Sequence, residues 1–356
     1  MFKERRLIVA MLVFAALFSG CSKNNAEPEQ PTGSDNEIVL SNDNKEEPNI
    51  DEDEEDEDED DMLEKPDEEL RIDVKAAVVG DCTGIGFAPI MGWGEKDKNH
   101  EKYTLNVAKT ADEVCGLLKS GEADVAIIPL DKAVELYRSD NNITILATNT
   151  YNNIYIADVT ALRSEKADLA GQAVYVADDG SLTSNVAKTV IQKSAAQVQT
   201  MPDNEAVKAA LAEGSINLAA VPEPYITLAK MDNENIEMGP DVAEIWKEDH
   251  ASEIISSVLV ARKDFIEANK DSMIYILDDF KQSVNTVIHG VTKTLEWTTG
   301  FKIVEDKSLA ISTMKNCNYN FTEGMEMRAA VESFLDDNKD VVGELPEEGF
   351  YYTDVE

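Results

Sequence analysis

Residues 80–92 read Gly-Asp-Cys-Thr-Gly-Ile-Gly-Phe-Ala-Pro-Ile-Met-Gly, four glycines and a threonine-bearing turn placed directly behind the apolar run Ala76-Ala77-Val78-Val79. A strand that ends in glycines and reopens as a helix exposes backbone N–H groups, which hold the oxygen atoms of small ligands. More specific chemistries fail on spacing. No Gly-Lys-Ser/Thr follows Gly80 or Gly84, so this is not a phosphate-binding P-loop. Pro89 stands where a dinucleotide fingerprint opening at Gly84-Ile85-Gly86 needs its third glycine. The histidines, His100, His250 and His289, are far apart, which speaks against a zinc site or a metalloenzyme. No Gly-x-Ser-x-Gly elbow offers a nucleophile. The loop reads as one that holds a ligand without transforming it, and no cofactor is expected.

The elements that must position such a loop are legible around it. Residues 114–137 and 207–230 share Val114/Val207, Leu118/Leu211, Gly121/Gly214, Ala126/Ala219 and Pro129/Pro222 at a constant offset of 93. Each copy predicts a short amphipathic helix, a glycine stop, a buried strand, and a proline that closes the strand and opens another helix. Thr110 with Glu113 predicts a capping box before the first helix, and Asp203 a cap for the second. Upstream of each copy stands a strand, a polar glycine-bearing loop and a helix; in the second copy this is Gln172 to Lys193. Each half is therefore a βαβ unit of a parallel sheet with right-handed crossovers. Ligands of such sheets sit beyond the carboxyl ends of the strands, so two halves give two comparable rims and, facing each other, a cleft. The chain leaves the first lobe near 150–156 and returns near 255–262, where Asp264 is a candidate cap; beyond, through Trp297 to Met325–Leu335, the pattern is mainly helical. Two crossings restrain a hinge without freezing it.

Composition bounds the compartment and the partners. Lys3, Arg5 and Arg6 precede the apolar run Leu7–Phe18, which has the length of a signal-peptide core, and Phe18-Ser19-Gly20-Cys21 resembles a bacterial lipoprotein cleavage site. Processing would leave a lipidated Cys21 and a protein anchored to the cell membrane outside the cytosol; a plain secretory signal is the alternative. Residues 22–70 hold 22 acidic against 3 basic residues, about half of the chain's net charge of −39, and read as a disordered acidic tether. The remaining residues, 71–356, are long enough for two cored lobes and are still acidic, which excludes nucleic acid as a partner. Cys82, Cys115 and Cys317 form no disulfide framework and read as buried thiols, with one pair left open.

The ordered set Gly80–Met91, Gly121–Ala133, Asp168–Asn185, Gly214–Ala229, Val258–Asn269 and the tail from Asn316 to Tyr352 resembles solute-binding lipoproteins of ABC importers. The branch is the SsuA/THI5-like one of sulfonate, taurine, nitrate and thiamine-pyrimidine uptake. The resemblance implies an α/β, two-lobed periplasmic-binding-protein type II fold, each lobe a mostly parallel sheet flanked by helices, with two hinge crossovers. It divides the chain into a signal peptide (1–20), the tether with Cys21 (21–70), lobe 1 (71–155 plus 256–356) and lobe 2 (156–255). It further implies a monomer that is not an enzyme, captures a small-molecule solute and delivers it to an importer permease. Alternatives are a same-fold enzyme of thiamine-pyrimidine or menaquinone synthesis, and a lipoprotein presenting its ligand to a sensor.

By the same resemblance the ligand is lined by Asp81, Cys82, Thr83 and Gly84 in the first loop and by Gly180, Ser181, Thr183 and Ser184 at the matching helix N-terminus. Asn149, Thr150 and Tyr151 join from the crossover, and Glu223 and Tyr225 follow Pro222. Unpaired N–H groups and hydroxyls at a helix start suit a sulfonate, carboxylate or nitrate, although serine and threonine there equally serve as caps. Glu223 favours an amine or a protonated ring and opposes a bare anion unless Arg262 or a lysine neutralises it. Trp93 and Phe87 are candidates either for stacking on a planar ligand or for the core.

Overall fold

The computed structural model describes Leu63 and residues 65–94, 99–159 and 169–354; the expected signal peptide, Cys21 and most of the tether lie outside them. Among the described residues, no helix is long and apolar enough to cross a membrane. Among the described residues, ten strands form two five-stranded sheets. The first contains β1 (Asp73–Val79), β2 (Lys102–Ala108), β3 (Val125–Pro129), β4 (Ile143–Tyr151) and β10 (Ile255–Arg262), in the order β2-β1-β3-β10-β4. The second contains β5 (Ile154–Asp158), β6 (Ala173–Ala177), β7 (Gln197–Met201), β8 (Leu218–Pro222) and β9 (Glu237–Asp241), in the order β7-β6-β8-β5-β9. The two orders are one plan used twice. In each sheet one strand, β10 or β5, runs antiparallel to both its neighbours, and the others are parallel.

The repeat explains the match. The offset of 93 superposes the first residues of β3 and β8, Val125 and Leu218, and their last, Pro129 and Pro222. Before each strand a helix, Ala111–Ser120 or Asn204–Ala212, begins on a side-chain cap. Thr110 accepts the N–H of Glu113, and Asp203 that of Ala206. Each helix stops before a glycine held at positive φ, 74° at Gly121 and 69° at Gly214, where any other residue would be strained. Asp264 lies inside the first turn of the helix Lys263–Ala268, so the capping position falls on Arg262; its carboxylate is clamped by the guanidinium of Arg262 at 2.6 and 2.8 Å and accepts the N–H of Phe265 at 2.9 Å.

The chain passes between the sheets at Asn152 and Asn153, before β5 opens at Ile154, a little earlier than the boundary at 155/156. Asn152, at φ 44°, breaks the strand there. Its backbone N–H donates to Ile254 O, its side-chain oxygen accepts the N–H of Ile254, and Ser256 donates to the side chain of Asn153. The two crossings are thereby laced to each other. The folded body also begins earlier than residue 71. His100 bonds to the carbonyl of Leu63, and Glu68 pairs with Arg71 and Lys102, because burying His100 against Asp279 leaves its second nitrogen needing a partner.

After β10 the chain adds helices to the first lobe, among them Met273–His289, Val291–Gly300, Lys307–Asn316 and Gly324–Asp337. Phe280 of the first is fully buried beside Phe87, a contribution of about 2 kcal/mol for such a side chain. Residues 317–323 run as an extended strip along β4, exchanging backbone hydrogen bonds at Thr148, Asn149 and Tyr151.

Candidate functional site

The loops that follow β3, β6 and β8 meet between the lobes, whereas β10 and β5, antiparallel to their neighbours, end at the opposite edge. Two observations establish that the rims meet. The helix Lys307–Asn316, carried by the first lobe, lies against the helix Tyr225–Asp232 of the second, and the N–H of Leu182 in the second lobe donates to the Asp131 carboxylate of the first at 3.4 Å.

In the first loop, Asp81 Oδ1 accepts both the backbone N–H and the hydroxyl of Thr83, at 2.8 and 2.6 Å. Thr83 is therefore a turn former before it is a ligand donor. Cys82 is fully buried beside Cys317, and Gly84 serves packing: a Cβ there would stand 2.3 Å from the carbonyl oxygen of Val79. The side chain of Asn149 donates to Thr83 O and Ser257 Oγ, and Thr150 and Ser257 share a hydrogen bond at 2.6 Å. Tyr151 lies in the apolar core. Asn149 thus holds the loop from beneath, with Thr150 bracing it through Ser257. Asn149 Oδ1 has no hydrogen-bond partner, but it lies against Gly86, where a Cβ would come within 2.2 Å.

The second rim repeats the first loop's device. Asp179 Oδ1 accepts the N–H of Ser181 at 3.0 Å and the hydroxyls of Ser181 and Ser184 at 2.7 Å each. Ser181 in turn caps the helix Leu182–Lys193 by accepting the N–H of Ser184. Gly180 is exposed at φ 79°, Thr183 is half-buried, and Ser184 is buried. Burial raises the Asp179 carboxyl, and the hydroxyls of Ser181 and Ser184 more than reverse this, leaving it below its ordinary range. The N–H groups of Ser181 and Leu182 and the hydroxyls of Ser181 and Ser184 are thus engaged by the protein's own aspartates.

Glu223 directly follows β8 and is 4% exposed. Its Oε1 accepts the hydroxyl of Thr227 at 2.8 Å and, across the gap, the side-chain amide of Asn316 at 2.6 Å; its Oε2 is buried and has no hydrogen-bond partner. Burial pushes the carboxyls of Glu223, Asp81 and Asp131 upward. Tyr225 is half-buried near Asp81 and Asp179, and burial raises its phenol with a smaller contribution from their charges. Arg262 cannot neutralise Glu223. It faces Ile143, the first residue of β4, at the end of the sheet remote from the gap, and is held there by Asp124 and Asp264. Lys132 beside Asp131 is paired with Asp112 and Glu135. Trp93 and Phe87 are core residues, set against Trp297 and against Tyr103 and Phe280. Among the described residues, no cluster of three or more His, Cys, Asp or Glu could hold a metal ion.

Sequence reasoning missed Asp131, Asp179 and Asn316. Asp179 carried a signal, since it stands two residues beyond its strand as Asp81 does; Asn316 carried none.

No protein-family model and no curated protein sequence matches the chain. Solved structures do. An ABC transporter protein from Parabacteroides distasonis superposes with a TM-score of 0.64 at 18% identity, over 79% of this chain and 99% of its own. The periplasmic aliphatic sulphonate binding protein SsuA from Escherichia coli gives 0.61 at 13% identity, over 79% of this chain and 92% of its own. The ligand binding component of an ABC-type import system from Staphylococcus aureus, with zinc bound, gives 0.56 at 13% identity, over 80% of this chain and all of its own. At such identities the similarity is one of fold: the chain has the two-lobed α/β fold of the periplasmic binding proteins, as the resemblance in its sequence implies.

Proposed function

We propose that this chain is an extracytoplasmic solute-binding lipoprotein, tethered through Cys21, that captures one small molecule between its lobes and passes it to an ABC importer permease. The observation that carries this reading is the convergence of matched post-strand loops from two duplicated sheets on one gap, with the chain crossing between the sheets twice. Binding closes the lobes by shifting a population already present, without a covalent step. The histidines favour capture over turnover: His100 is held by Asp279, His250 is stacked on Trp246, and His289 is exposed on its helix, so none is placed at the rims.

The test is a thermal-shift and calorimetry panel on the full chain against sulfonates, nitrate, amino acids, amines and aminopyrimidines, with product analysis of each mixture. A bound compound at a hundred times its Kd adds about 2.7 kcal/mol of stability and is recovered unchanged. Recovery of a converted product overturns the reading in favour of an enzyme. Cys21→Ala is expected to release the protein from the membrane fraction of expressing cells.

A further inference from the structure

We propose that the solute captured in this gap is a small organic cation, an ammonium or protonated ring nitrogen with no sulfonate or carboxylate group to balance it. The proposal rests on the solute-capture reading above and deepens it.

Two independent observations support it. The first is Glu223. Its carboxylate lies between the lobes, tied through Oε1 to Thr227 of its own lobe and to Asn316 of the other, while Oε2 is buried without a hydrogen-bond partner. A carboxylate oxygen taken out of water without a donor costs several kcal/mol unless a proton or a cation meets it. An ammonium N–H supplies both the hydrogen bond and the charge.

The second is the state of the donors. Several of the N–H and hydroxyl groups that would receive an anion are already engaged by carboxylates of the protein: those of Thr83 by Asp81, those of Ser181 by Asp179, and the N–H of Leu182 by Asp131. An anionic group entering the gap would meet negative charge from both rims. Arg262, the counter-charge that sequence offered by name, is committed at the remote end of the sheet, and Lys132, beside Asp131, is held in its own ion pairs. Tyr225 places a phenol ring at the same rim, the kind of surface on which ammonium groups settle. A zwitterion such as taurine gains at its amine and loses at its sulfonate.

The test uses the full-length protein and six probes of similar size: ethylammonium, choline and imidazolium chlorides against sodium methanesulfonate, sodium nitrate and taurine, by thermal shift and then calorimetry. At least one of the three cations is expected to raise the melting temperature, and the anions and taurine to leave it unchanged. Glu223→Gln is expected to weaken the bound cation at least tenfold, the usual consequence of removing one partner of a desolvated charged pair. Asp81→Asn, which keeps the acceptor for Thr83, is expected to weaken the same cation while leaving the fold intact. A shift with methanesulfonate, nitrate or taurine overturns the cation assignment and leaves solute capture standing. Cation binding unaltered in both variants overturns the role given to these carboxylates, and with it the proposal. No shift with any of the six probes overturns the cation assignment, whereas silence across the wider panel above counts against capture itself.

Discussion

Asp81 and Asp179 stand in the same place in the two lobes: each is the second residue beyond a central parallel strand, and each takes, on one oxygen, the N–H and the hydroxyl of the residue two positions further on. The turn is the same in both copies, with threonine as the hydroxyl residue in one and serine in the other. In both copies the carboxylate takes an N–H and a hydroxyl of the kind that would receive an anionic ligand.

Removing one of these carboxylates should therefore uncover what it covers. Asp179→Ala frees the N–H of Ser181 and two hydroxyls at a helix start. We expect a loss of about 1–2 kcal/mol in stability, together with a new affinity for sulfate or methanesulfonate. Calorimetry on the variant and the parent checks both.

Glu223 gives the gap a pH dependence of definite sign. Burial raises its carboxyl above the ordinary 4.5, so the folded protein holds that proton more tightly than the unfolded chain. Its share of stability is present at low pH and is lost as pH rises through the folded value. Cation affinity runs the other way, growing over the same interval as the carboxylate ionises. The titratable groups that its charge reaches are Cys82 of the first loop, Cys317 and Tyr319 of the strip along β4, and Tyr155 on β5. Titrating the parent against Glu223→Gln separates its step from that of Asp81.

Asp241 provides an independent check outside the gap. Burial pushes its carboxyl up to about 6 while it caps the helix Val242–Trp246 through the N–H of Ala243. Stability should fall as pH rises through that value. Asp241→Asn, which keeps the acceptor, should flatten the fall and add about 1 kcal/mol at neutral pH once solvent screening is allowed for, or roughly 2–4 °C in Tm.

The thiols should be slow. Cys317 beside it, followed by burial, raises Cys82, and burial raises Cys317 and Cys115, the last to about 11. Reaction with a maleimide at mildly alkaline pH is expected to be far slower in the native protein than after denaturation. Rapid native labelling of Cys82 would show that the first loop opens readily.

Asn152→Ala tests the lacing of the crossings. It removes the acceptor for the Ile254 N–H and puts a residue that favours neither turn nor positive φ at 44°. A loss of about 2 kcal/mol is expected in chemical denaturation.

Much of the fold was legible because its signals are local. Gly121 with Gly214 and Pro129 with Pro222 mark the same helix stop and strand end twice, and a constant spacing survives sequence drift. The rims were legible as places but not as chemistry. Thr83, Ser181 and Ser184 look like free donors until Asp81 and Asp179 are seen to hold them, and residue type alone does not reveal which hydrogen bonds are already made. Arg262 reads as a counter-charge for Glu223 only while the direction of β10 is unknown; its tie to Asp124 spans 138 positions. The bond from Asn316 to Glu223 joins two lobes across 93 positions and has no local trace at all.

The end of the helix Lys307–Asn316 and the strip that follows it belong to neither repeat, yet together they touch both. The backbone carbonyl of Asn316 accepts the hydroxyl of Tyr155 in one lobe, and the hydroxyl of Tyr319 donates to the carbonyl of Cys82 in the other. Two lobes built on one strand order are thereby made unequal where they meet, and the mouth between them acquires a left and a right. Any protein that approaches it meets a surface with only one correct way round.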